Sequence, residues 1–194
     1  MSLHNEVQEY IRITKSIQVE SLERLADLIY NVSKNGKKIF VCGNGGSGAT
    51  ANMFAFGITN FGGNDLKALS LNNNMGMITE SSNNYGYAYS FNDQIQAFAQ
   101  NGDLLILISG SGNSLNVLNA VHQAKSQNVK TFSLTGMGGG KLSQISDDTV
   151  IVDSYDMQQI ENIHSLIINS VVRNLSVYTN NEVNSYSDVL LNNY

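Results

Sequence analysis

The sequence predicts an α/β protein on a doubly wound, five-stranded parallel sheet of order 2-1-3-4-5. Three observations carry that expectation. Apolar, strand-like runs alternate with helix-like stretches along most of the 194 residues, the pattern of parallel strands joined by crossover helices. The runs IFVC at 39–42 and LLILI at 104–108 are apolar throughout, as strands covered on both faces must be. Each of these runs ends in a glycine- and serine-rich turn that opens a helical stretch, GNGGS at 43–47 and SGSGNS at 109–114. In this strand order the first and third strands are neighbours from which the chain winds away in opposite directions. Their carboxyl ends border a crevice, and both turns fall there.

Taken in order, residues 6–34 place Val7, Ile11, Ile17, Leu22, Leu25, Leu28 and Ile29 at helical spacing and end near Asn35-Gly36. That is one long amphipathic helix or two shorter ones. The first strand is expected at 38–42 with a helix from Ser47, the second at 66–71 with a helix from about Asn74, and the third at 103–109 with a helix from Ser114. Strands at 130–134 and 148–152 complete the sheet, and a last helix runs over about 157–175. A polar, Asn-rich tail from about 178 to 194 reads as a frayed end or an extended arm. A chain of this length fits one domain spanning 1–194, with the helical extension at about 5–35 as its N-terminal part.

Charge and composition exclude several functions. A net charge of −5 with 11 Lys+Arg and no basic run gives no footprint for nucleic acid or an anionic membrane. The apolar runs fall short of the ~20 residues needed to span a bilayer, and no secretory pattern opens the chain, so a cytoplasmic protein is expected. The single cysteine, Cys42, lies within a strand, where burial as a small apolar residue is its expected role.

The two turns together describe an anion cradle. Amides of a helix's first turn lack partners within the helix and point, with serine hydroxyls, at whatever binds there. GNGGSG departs from the G-x-G-x-x-G spacing, and no acidic residue ends the second strand at Leu71, so a dinucleotide is disfavoured. Gly140-Lys141 is followed by Leu142, which removes a Walker reading. The expected ligand is small and anionic, and no cofactor is expected.

CGNGGSGATA at 42–51, NNYGY at 83–87, GDLLILISGSGNSLNVLNA at 102–120, SLTGMGGGKL at 133–142 and QQIENIHSLIIN at 158–169 follow one another in a specific order. On these segments the chain resembles the sugar isomerase (SIS) domain proteins of the phosphoheptose isomerase family. The resemblance implies a homotetramer with phosphosugar sites between subunits. It implies phosphate binding by Ser109, Gly110, Ser111 and Ser114, and sugar contacts from Asn44, Gly45, Ser47 and Thr135. Aldose–ketose isomerisation needs a base for the carbon-bound proton and an acid for oxygen. The family pattern carries a glutamate ten residues beyond the GNGGS serine and a histidine five residues beyond the last-helix histidine. Those positions are Gly57 and Asn169 here, and neither side chain titrates. The histidine four residues before that glutamate is Met53, which weighs against zinc, and no metal is expected.

The favoured reading is a phosphosugar-binding member whose isomerase activity is absent or reduced. Two alternatives stand beside it. Glu161, at the place of a ligand-contacting glutamine in the family, and His164 lie at i, i+3 and would serve as a replacement acid and base on sedoheptulose 7-phosphate or a related sugar phosphate. Alternatively the chain is a non-catalytic tetrameric regulator of a protein partner such as a replication initiator, as in the family's DnaA-initiator-associating members.

Overall fold

The structure, a computed structural model, describes residues 2–62 and 66–179. The parallel sheet has the order β2-β1-β3-β4-β5, with β1 Ile39–Gly43, β2 Ala68–Ser70, β3 Leu104–Ser109, β4 Lys130–Thr135 and β5 Asp148–Ile151. Side chains alternate between two apolar faces. Ile39 and Val41 of β1, Leu104, Ile106 and Ile108 of β3, and Phe132 and Leu134 of β4 point into one core. Phe40 and Cys42 join Leu105 and Leu107 in the other.

The first core is closed by α1 Leu3–Ser16, α2 Val19–Lys34, α3 Gly46–Phe61 and α8 Met157–Tyr178, through Ile13, Leu25, Phe54 and Ile167 among others. The second face is covered by α4 Met75–Tyr85, α5 Asn92–Phe98, α6 Leu115–Ser126 and α7 Leu142–Ile145. Ile95, Val117, Val121 and Leu142 are its buried contacts.

The N-terminal stretch is two helices, broken where Ile17 turns extended (φ −65°, ψ 126°). Ser2 caps the first by accepting from the Asn5 amide at 3.2 Å. The second strand is shorter than expected because the Ser70 hydroxyl accepts from the Asn72 amide at 3.2 Å and pulls Leu71–Asn73 into a single 3-10 turn. The short helices α5 and α7 carry too few residues for apolar periodicity to reveal. The expected C-terminal tail lies, from residue 180 on, outside the described residues. No described helix is long and apolar enough to cross a membrane.

Candidate ligand-binding site

Register brings the two glycine turns together. Gly43 at the end of β1 is paired with Ile108 at the end of β3, so both loops leave the sheet side by side at its carboxyl edge. Gly43 must be glycine, because a Cβ there would lie 2.6 Å from the Ser47 carbonyl oxygen and 2.8 Å from that of Ile108. Asn72 holds the same residue from β2's side: its Nδ2 donates to the Gly43 carbonyl at 2.7 Å and its Oδ1 accepts from the Gly43 amide at 3.2 Å.

Between the loops lies a cleft of about 240 Å³ lined by Asn44, Gly45, Gly46 and Ser47 on one side and Ser109, Gly110, Ser111 and Ser114 on the other, with Ile108 at its base and Met157 and Glu161 of α8 across it. The helices α3 and α6 both start here, and neither N-cap residue, Gly45 or Ser114, uses a side chain to cap its helix. Their first-turn amides are thus presented to the cleft with the positive end of each helix dipole.

The serine loop is braced by a third glycine turn. The Leu142 amide donates to the Gly112 carbonyl at 2.9 Å, the Lys141 amide to Asn113 Oδ1 at 3.1 Å, and the Gly136 amide to the Gly110 carbonyl at 3.0 Å. This backbone-on-backbone contact requires Gly140, whose φ is +57° and whose added Cβ would fall 2.7 Å from the Gly112 carbonyl carbon.

The α8 wall packs directly on both loops. A Cβ at Gly110 would meet Met157 Sδ at 2.5 Å, so the methionine occupies the room a larger residue at 110 would take. A Cβ at Gly46 would lie 2.5 Å from the Glu161 carboxyl carbon. The Glu161 carboxylate therefore rests directly on the first turn of α3, where negative charge is favoured by ~0.3–1 kcal/mol.

Seven of the eight expected binding residues line this cleft, and Thr135 does not. Thr135 is wholly buried, with its hydroxyl donating to the Val150 carbonyl at 3.3 Å. His164 is separated from Glu161 in the same way. Its exposure is 0%, and its Nε2 donates to the Thr135 carbonyl at 3.2 Å. Three residues along a helix rotate a side chain by about 60° and advance it by ~4.5 Å, enough to carry His164 from the cleft's rim to beneath the end of β4. Burial pushes its pKa down to about 4, against the opposing pull of the Thr135 carbonyl. A side chain sealed from solvent in one chain stays sealed when more chains pack around it, so the imidazole does not meet Glu161 over a ligand.

Gly57 and Asn169 lie away from the cleft. They are eleven residues beyond Gly46 and eight beyond Glu161, or about 16 Å and 12 Å along their helices. Gly57 is buried against Val172, whose Cγ2 would be 2.9 Å from an added Cβ. Asn169 is exposed and donates to the Ser165 carbonyl at 2.8 Å. Cys42 is fully buried, and burial alone pushes its thiol up to about 12, which leaves it a core residue. Sequence reasoning missed Asn72, Met157, Asn116 and Tyr87. Their part in the site depends on contacts across 29 to 72 residues of chain, such as Asn72 to Gly43 and Asn116 to Asn44, and no local pattern announces these.

A doubly wound sheet with paired glycine turns over its switch point is the architecture of the SIS domain, and the family profile described as SIS domain matches residues 4–136. The phosphoheptose isomerase of Campylobacter concisus is 39% identical over 154 residues, covering 78% of this chain and 82% of that protein. That of Aliarcobacter butzleri is 38% identical over 167 residues, covering 84% and 88%. The solved phosphoheptose isomerase of Neisseria gonorrhoeae superposes with a TM-score of 0.85 at 32% identity, over 90% of this chain and 97% of that one. The chain belongs to the phosphoheptose isomerase family of SIS-domain proteins.

Proposed function

We propose that the chain binds a sugar phosphate monoester in this cleft and that aldose–ketose isomerisation is absent or much reduced. The observation that carries the reading is the meeting of two uncapped helix N-termini with the serine loop in one cleft. Unpaired amides and hydroxyls there satisfy a dianion in the way a monoester requires. Relatives named phosphoheptose isomerase support a seven-carbon sugar phosphate as the ligand class.

The chemistry needs two proton-handling groups and a shielded enediol. Among the described residues Glu161 is the one carboxylate on the cleft wall, and His164 is closed off beneath β4. Glu161 alone can accept the carbon-bound proton, which keeps a slow isomerase as the second reading. The cleft's 240 Å³ falls below the ~300–1,000 Å³ of a typical ligand site, so a further wall comes from another copy of the chain. A homotetramer supplies it, and the apolar stripe Leu3, Val7 and Ile11 on the outer face of α1, at 87%, 55% and 42% exposure, offers surface for such assembly. No cofactor or metal enters this reading.

Calorimetric titration with sedoheptulose 7-phosphate, run beside a coupled isomerase assay, tests it. Binding without turnover is expected. Replacing Ser111 and Ser114 together by alanine removes two donors to a charged group, each worth about 1.5–3 kcal/mol, so affinity should fall at least tenfold. Unchanged affinity overturns the binding reading, and robust turnover lost in Glu161→Gln overturns the loss of activity.

A further inference from the structure

Asn44 stands on the cleft wall between the two loops, and its side-chain amide is held by a network whose polarity can be traced from a main-chain group. The Val117 backbone N–H is shared between the Ser114 carbonyl and Asn116 Oδ1, each at 3.1 Å. A backbone amide can only donate, so this atom of Asn116 is its carbonyl oxygen and the other is its NH₂. Asn116 Nδ2 donates to Asn44 Oδ1 at 2.8 Å and to Ser90 Oγ at 3.0 Å. Asn44 Nδ2 returns a bond to Asn116 Oδ1 at 2.8 Å. The Tyr87 hydroxyl, facing an oxygen that can only accept, donates to Asn44 Oδ1 at 2.8 Å.

The count closes on Asn44. Its carbonyl oxygen has both lone pairs engaged, by Asn116 and Tyr87. Its NH₂ has one proton engaged by Asn116 and, among the described residues, one left over. Rotating the amide by half a turn would set NH₂ against the Asn116 NH₂ and carbonyl against carbonyl, and would break the reciprocal pair. Asn116 cannot follow, because it is only 2% exposed and fixed by the Val117 amide.

We infer that Asn44 presents one fixed N–H donor to the cleft, with Asn116 and Tyr87 as its positioning residues, and so selects a ligand that places an accepting oxygen there. Joined to the first-turn amides of α3, it makes this wall a donor surface, and Glu161, against the first turn of α3, is the accepting group. On the sugar-phosphate reading, which this inference rests on, the matched group is a carbonyl or hydroxyl oxygen of the sugar, and the phosphate stays with the serine loop. Tyr87 is 57% exposed, and among the described residues its hydroxyl bonds to Asn44.

The test has two arms. In the first, sedoheptulose 7-phosphate and inorganic phosphate are titrated separately into wild type, Asn44→Ala, Tyr87→Phe and the double variant. Loss of a donor in a shielded site weakens binding by ~10-fold. Asn44→Ala should show that loss for the sugar phosphate and under about twofold for inorganic phosphate. Tyr87→Phe should weaken the sugar phosphate severalfold in wild type and change nothing further in the Asn44→Ala background. Additive losses, or an equal loss for inorganic phosphate, overturn the positioning role. The second arm needs no ligand. In ¹⁵N-asparagine-labelled protein, the Asn44 NH₂ signal, assigned by its absence from Asn44→Ala, should show one proton protected from exchange and one exposed. Two equivalent, fast-exchanging protons would overturn the fixed orientation. If the second arm succeeds while wild type binds no sugar phosphate, the ligand reading fails and the locked donor stands.

Discussion

His164 ties the stability of the fold to pH in a window of its own. Its Nε2 must carry the proton, because it faces the Thr135 carbonyl at 3.2 Å, and its buried Nδ1 has no hydrogen-bond partner among the described residues. Protonation would therefore create a charged donor in the core with nothing to receive it. Desolvation accordingly holds the folded-state pKa near 4, against ~6.5 in the unfolded chain. Between these values the unfolded state binds a proton and the folded state does not, so stability falls as pH falls. Nothing is lost above pH ~7. Two-state linkage puts the loss at about 2 kcal/mol by pH 5 and about 3 kcal/mol by pH 4.

The assay is urea denaturation at fixed protomer concentration between pH 8 and pH 4.5, for wild type and His164→Gln. Glutamine keeps a donor for Thr135 and removes the titration. Its absolute stability drops, and the informative quantity is the slope, which should be shallower than wild type by the amounts above. The other two histidines, His4 and His122, are exposed and common to both proteins. Asp148, whose carboxyl is held below the usual carboxylate range by its hydrogen bond to Arg24, loses its contribution at lower pH. Parallel pH profiles for wild type and His164→Gln would refute the buried neutral imidazole.

Other perturbations read different parts of the same frame. Gly57→Glu drives a side chain into Val172, 2.9 Å from the first added carbon; overpacking of ~1–3 kcal/mol outweighs ~1 kcal/mol of helix propensity, so thermal unfolding should show a net loss and the coupled assay no gained turnover. Glu161→Gln removes a carboxylate that competes with ligand for the first turn of α3, and calorimetry should find inorganic phosphate bound ~2–5-fold more tightly, from ~0.3–1 kcal/mol of dipole interaction. Gly140→Ala combines a positive φ of +57° with contact against the serine loop's backbone; a loss of ~2–5 kcal/mol in denaturation is expected, with phosphate binding lost at temperatures where the fold persists.

Much of the scaffold could be read before any coordinates, and the reasons are local. Continuous apolar runs bounded by glycine turns mark buried parallel strands, and the strand order follows from where the two cradle turns must meet. The anion cradle is legible because each loop's chemistry is contained in five or six consecutive residues, and the family resemblance supplied the seven individual residues that line the cleft. What stayed hidden depends on contact at a distance. Asn72 clamps Gly43 from 29 residues away, and Asn116 fixes Asn44 from 72. Thr135 and His164 lie outside the cleft for one reason: spacing along an element gives a face, and only packing decides whether that face meets the cleft or the core.

The proposed separation of binding from chemistry rests on how differently the two are built. The cradle is mostly main chain, set by the pairing of Gly43 with Ile108 and locked by the third glycine turn, so it cannot be dismantled without dismantling the sheet edge. Gly57 and Asn169, which the family resemblance matches to a proton-transfer pair, are single side chains far along α3 and α8, and the fold does not depend on their being charged. At Gly57 the packing has gone further, because Val172 fills the space over the glycine and turns its smallness into close helix contact. A carboxylate there would have to displace an apolar neighbour as well as appear. On the proposed reading, gaining catalysis would therefore take coordinated change at 57, 169 and 172, whereas binding the ligand takes only the loops as they stand.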